Sequence, residues 1–142
     1  MDSVTQKVMQ SPLVNTVNAG ATVTVGATVV DTTIIASTDN VRSITSINQI
    51  PREGNVVIDF YATWCGPCKK LGPLFSKLSN EYLTVSFLKV DSDEAEDLCK
   101  HYEVSALPTV LFIKNGEVVS IIKGFNENKI ISELQEIFLY LF

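Results

Sequence analysis

The segment Val56–Ala62, VVIDFYA, is apolar almost throughout and carries a single carboxylate, Asp59. A strand that is apolar on both faces must be covered on both faces, which places it in the middle of a layered α/β sheet. Directly after it come Trp64, Cys65, Gly66, Pro67 and Cys68. From about Gly66 to Tyr82, Leu71, Phe75, Leu78 and Tyr82 then fall on one face of a helix. Pro73 lies inside that helix, where it must free a carbonyl and bend the axis.

The remainder of the chain supplies matching parts. Val85–Val90 has the composition of a second buried strand, and Asp93–Tyr102 that of a short helix with Ala95, Leu98 and Tyr102 facing inward. Thr109–Lys114 and Glu117–Lys123 flank Asn115-Gly116, a pair that tolerates the positive φ values of a type I′ turn and so predicts a hairpin. A last helix over about 127–141 buries Ile130, Leu134, Ile137, Phe138 and Leu141. Upstream, Thr32–Ala36 is a short strand candidate. Asp39 is placed to cap a weak helix running to about Asn48. The expected order is β-α-β-α-β-α-β-β-α, an α/β domain with a central mixed sheet flanked by helices on both faces.

At 142 residues the chain suits one domain, here 32–142, with a 31-residue N-terminal extension (1–31). Ser11–Val30 is rich in Val and Thr and alternates in places. Two readings fit it, an added strand and a weakly ordered arm. A formal charge of -5 argues against general nucleic-acid binding, because nothing would neutralise a phosphate backbone. No apolar run approaches the roughly 20 residues of a membrane helix. Asp2 and a first arginine at Arg42 fit neither a secretory nor an organellar leader. A dithiol whose job is reduction implies a reducing compartment, so a cytoplasmic protein is expected.

Three cysteines do not make a disulfide framework, and a C-x-x-C spacing suits a reversible redox pair or half a metal site. Zinc needs two further ligands, and only Cys99 and His101 remain, two positions apart and facing different directions, so no metal is expected. The acidic run Asp91, Asp93, Glu94, Glu96 and Asp97 lacks a calcium loop's glycine and ligand spacing and reads as a solvated face. Cys65 at a helix N-terminus meets unpaired backbone N–H groups and the positive end of the helix dipole, which favour thiolate over thiol. Pro67 in the first turn costs no hydrogen bond and stiffens the helix start. Cys68, one turn on, faces the same way from a more covered position and can close onto Cys65.

WCGPCK at 64–69, preceded by VIDFYA at 57–62 and followed by ALPT at 106–109 and a glycine at 124, resembles the thioredoxin family over about Thr32–Phe142. The resemblance implies the thioredoxin fold and a redox-active Cys65–Cys68 disulfide. It also implies reduction of protein disulfides, with no bound cofactor, recharging by a thioredoxin reductase from NADPH or another donor, and a monomer. The family's cis proline matches Pro108, its buried acid Asp59, its occasional lysine partner Lys89, and its substrate-surface glycine Gly124. The implied substrate surface comprises Trp64, Gly66, Leu107, Pro108 and Gly124.

Physical chemistry supports these roles. A lone carboxylate buried at Asp59 should have a raised pKa and can take the Cys68 proton. Lys89 alternates with Leu88 and Val90. It either reaches Asp59 or lays its stem over the core with a solvated head. A cis bond before Pro108 would expose a backbone edge beside the thiols. Trp64 reads as a platform beside Cys65, Tyr61 as packing behind the site, Cys99 as a half-buried small hydrophobe and His101 as a surface residue. Gly66-Pro67 between the cysteines favours a reducing pair. The competing classes are a disulfide oxidant or isomerase and a non-catalytic binding subunit using the Trp64–Pro108–Gly124 surface.

Overall fold

The computed structural model describes residues 39–139; the extension 1–31, the strand expected at Thr32–Ala36 and the last expected core residue, Leu141, lie outside the described residues. Five strands form one mixed sheet: β1 (Val41–Ser43), β2 (Asn55–Tyr61), β3 (Val85–Asp91), β4 (Thr109–Lys114) and β5 (Glu117–Lys123). Their spatial order is β1-β3-β2-β4-β5. β1 and β2 run parallel to β3, whereas β2–β4 and β4–β5 are antiparallel. Three helices cover the sheet: α1 (Gly66–Glu81), α2 (Glu96–His101) and α3 (Glu127–Leu134), the last continued by a π turn over Gln135–Leu139. This is the thioredoxin fold expected from the sequence.

The twofold alternation of β2 divides the core. Val57 points to the side where Leu71, Leu74, Phe75, Leu78, Ile130 and Leu134 of α1 and α3 pack. Val56, Ile58 and Phe60 point to the other side, against Ala95 and Leu98. Burial on both faces explains why β2 reads as a continuous apolar run. Asp59 shares Val57's face and therefore sits beneath α1. The hairpin forms as expected, with Asn115 and Gly116 at φ 49° and 86°. Asn115 also ties the turn to Gly54, its carboxamide oxygen accepting the Gly54 N–H at 2.9 Å. Pro73 stands inside α1.

Two local expectations are corrected. Residues 39–48 do not form a helix: Val41, Arg42 and Ser43 pair with Phe87, Leu88 and Lys89 as the edge strand β1, and only Ile47–Gln49 turns, as a 3-10 helix. Asp39 does not cap a helix; its carboxylate accepts the Val41 N–H and the Ser76 hydroxyl. The cap lies later, where Ser46 accepts from the Asn48 N–H and Gln49 accepts from the Ser46 N–H. With helix formers this weak, pairing to the free edge of β3 prevails over local propensity. The second correction is at α2, which begins at Glu96 rather than Asp93, because Asp91 accepts the Asp93 and Glu94 N–H groups in a turn.

Candidate active site

The cysteine pair sits where β2 hands over to α1. Cys65 is the N-cap of α1, with extended backbone (φ -87°, ψ 117°), and Pro67 falls in the first turn. Its N–H donates to the Ala62 carbonyl at 3.2 Å, which closes the strand-to-helix turn. Its sulfur accepts the Cys68 N–H at 3.3 Å. Cys65 and Cys68 are joined as a disulfide with Cα atoms 5.3 Å apart. The Cys65 sulfur is reached by a first-turn N–H at the positive end of the helix dipole, so negative charge at Cys65 is favoured there.

Burial does not separate the two cysteines: Cys65 is 5% and Cys68 6% exposed, so Cys68 is not the more covered of the pair in this disulfide state. What separates them is a groove. Cys65 lines it together with Trp64, Gly66, Pro67, Val104 and Leu107, and Cys68 does not. The peptide bond between Leu107 and Pro108 is cis, and the Pro108 carbonyl accepts the Gly124 N–H at 2.8 Å. Gly124 has φ 87°, a conformation that side chains disfavour. The structure thus gathers Trp64, Cys65, Gly66 and Leu107 along one groove and bonds Gly124 to Pro108 beside it.

Asp59 lies on the α1-facing side of β2, 4% exposed, with its Oδ1 making no hydrogen bond. Burial pushes its pKa from 3.8 up to about 7, partly offset by the positive charge of Lys89. Lys89 is its register partner on β3. Tyr61, two residues further along the same face, has its phenol pushed up by burial and by the nearby carboxylates Asp91, Asp59 and Glu94.

Three features were not legible in the sequence. Trp64 is 69% exposed, but its indole N–H donates to the Asp93 carboxylate at 2.8 Å, so one member of the acidic run holds the ring in place. Cys99, half-buried as expected, lines the same groove as Cys65 although it is remote in sequence. Ser92 also lines it, with a buried hydroxyl that makes no hydrogen bond. No linear signal could have found these, because the loop after β3 and the residues before β4 meet only in the fold. His101 is exposed, with its ring edge against Tyr102. Among the described residues no group of three or more His, Cys, Asp or Glu side chains is arranged to hold a metal ion.

The family model for thioredoxin matches residues 32–136. The chain belongs to the thioredoxin family. It is 44% identical over 90 residues to thioredoxin-1 of Caenorhabditis elegans, covering 63% of this chain and 77% of that one. It is also 44% identical over 81 residues to the peptide-N(4)-(N-acetyl-beta-glucosaminyl)asparagine amidase of Caenorhabditis briggsae, of which it spans only 14%. Among solved structures, the thioredoxin of Malassezia sympodialis superposes with a TM-score of 0.65 at 38% identity, over 69% of this chain and 90% of that one. Mitochondrial thioredoxin 3 of Saccharomyces cerevisiae, in its oxidised form, gives 0.64 at 38%, over 68% and 95%. As a thioredoxin, the protein is a thiol–disulfide oxidoreductase acting through Cys65 and Cys68.

Proposed function

We propose that this thioredoxin reduces disulfides of other proteins, with Cys65 as nucleophile and Cys68 as resolving thiol. The observation that carries this reading is that Cys65 alone of the pair lines the groove, so an incoming disulfide meets its sulfur first. In the reduced protein, the Cys65 thiolate attacks one sulfur of the substrate disulfide. A mixed disulfide forms, and the other substrate sulfur leaves as a thiolate that takes a proton from water. Asp59, poised near pH 7 by burial, accepts the Cys68 proton directly or through water. The Cys68 thiolate then attacks the Cys65 sulfur, the second substrate thiol departs, and the pair is left oxidised by two electrons.

An extended substrate segment would lie along Trp64, Gly66, Leu107, Pro108 and Gly124, with main-chain groups beside Pro108 supplying hydrogen bonds. The partner that returns two electrons to the pair is a thioredoxin reductase drawing on NADPH or another donor. No cofactor is needed at Cys65 itself, because the sulfurs carry the electrons. A reducing dithiol works in a reducing compartment, and the cytosol is the location we assign.

The test is reduction of insulin disulfides with dithiothreitol as donor. The full chain should accelerate it well above the donor alone, and the double variant Cys65→Ser, Cys68→Ser should reduce it no faster than donor alone. Equal rates for the two proteins would remove the reductase reading.

A further inference from the structure

Cys65 and Cys68 are almost equally buried, so burial alone does not make one of them the first to react. The groove reaches Cys65 from one face of β2, and the opposite face carries Tyr61. Cys99, Val104 and Leu107 line the groove and pack against the core on the α2 side of the sheet. Tyr61 follows Val57 and Asp59 along β2 at two-residue intervals, so its side chain points to the α1 side. Cys68 belongs to the buried face of α1. Two side chains, Leu107 and Tyr61, pack against the cluster formed by Ala62, Cys65 and Cys68. Leu107 lines the groove and Tyr61 does not. The cluster is therefore covered from two sides, by an aliphatic side chain in the groove wall and by an aromatic ring on the far face of β2.

The Tyr61 backbone is pinned in the sheet. Its carbonyl accepts the Ser92 N–H at 2.8 Å, and Tyr61 is the register partner of Asp91 on β3. The side chain is only partly exposed, and burial together with Asp91, Asp59 and Glu94 keeps the phenol protonated. The same carboxylates give this side a negative potential, which disfavours an incoming thiolate. An aromatic ring is a large cover and makes favourable contact with sulfur.

We propose that Tyr61 is a positioning residue: its ring closes the α1-side approach to Cys68 and so leaves Cys65 as the sulfur that meets a substrate disulfide first. Cys68 still reaches its own partner, because the two sulfurs lie under the same cover and bond to each other there. This role for Tyr61 rests on the order of attack proposed above.

The test is alkylation of the full-length Cys65→Ser protein by iodoacetamide, with Cys68 and Cys99 followed separately by peptide mass spectrometry. Rates taken over a series of pH values give the thiolate rate constant, so a change in thiol pKa is not read as a change in access. Adding Tyr61→Ala should raise the Cys68 constant by about tenfold or more and leave Cys99, on the other side of the sheet, within about twofold. Tyr61→Phe keeps the ring and should match the parent. Tyr61→Val, a strand former without a ring, should behave as Tyr61→Ala does. An unchanged Cys68 constant in the ringless variants overturns the proposal. So does an equal rise at Cys99, which reports general loosening, or a Tyr61→Phe constant as high as that of Tyr61→Ala. Insulin reduction by the chain with both cysteines is read separately. Normal turnover beside an unchanged Cys68 constant removes the role of Tyr61 alone, whereas absent turnover beside a raised constant removes the reductase reading alone.

Discussion

Asp59 on β2 and Lys89 on β3 are register partners across a parallel strand pair, yet the lysine's charge lowers the Asp59 pKa by less than burial raises it. The folded carboxyl therefore titrates near 7 against 3.8 when unfolded. Between those values the native state holds more protons than the unfolded state, so Asp59 costs stability progressively as pH rises through the window. Above pH 7 the cost is on the order of 4 kcal/mol as an upper figure. Asp59→Asn should be more stable than the parent by roughly 1–3 kcal/mol at about pH 8 and no different below about pH 3.5. Urea unfolding at several pH values checks this; a constant difference at every pH would contradict it.

The same substitution should slow the second chemical step and spare the first. Removing Lys89's charge, as in Lys89→Met, should move the Asp59 titration above 7, because burial is then unopposed. Carboxyl-carbon NMR of oxidised protein reads the Asp59 midpoint directly, and a downward shift would contradict the assignment.

If Cys65 attacks and Cys68 resolves, the two single serine variants must behave differently. Cys68→Ser should accumulate a stable mixed disulfide with a protein substrate, visible by intact mass spectrometry. Cys65→Ser should capture at least about tenfold less, since Cys68 does not line the groove. Equal capture by both would show that either sulfur can be reached first.

Asp93 holds the exposed Trp64 ring through one hydrogen bond of 2.8 Å. Asp93→Ala should free the ring, lower its fluorescence anisotropy and reduce kcat/KM for protein substrates by about two- to fivefold, because an exposed bond is worth about 1 kcal/mol or less. The cysteine reactivity toward a small disulfide should change little. A fall in small-disulfide reactivity as large as that for protein substrates would show that Asp93 acts on the sulfur rather than on the platform.

At Gly124 the φ of 87° sets the cost of a side chain, since an added Cβ would meet nothing within 4 Å. Gly124→Ala should cost about 1 kcal/mol, or roughly 4–6 °C in Tm, from backbone conformation alone. A loss above about 3 kcal/mol would mean that the Gly124–Pro108 hydrogen bond breaks as well.

Elements fixed by local chemistry were readable in the chain. Asn115-Gly116 named its turn, the apolar run of β2 named its place in the sheet, and Asp59 was conspicuous as its one carboxylate. Trp64-Cys65-Gly66-Pro67-Cys68 marked both the strand-to-helix turn and the chemistry. What could not be read depends on distant partners. Val41–Ser43 is three residues long and is a strand only because β3 offers an edge. Asp93 looked like part of a solvated acidic face until the fold brought it to Trp64. Cys99, 34 positions after Cys65 in the sequence, gave no sign that it would share a groove with it.

The central claim is that Cys65 and Cys68 form a reducing pair, and their equilibrium redox potential against dithiothreitol or glutathione tests it most directly. A value near about -270 mV, in the full chain and in a version starting at Asp31, is the predicted result. A value above about -200 mV would place the pair among disulfide oxidants or isomerases and contradict it.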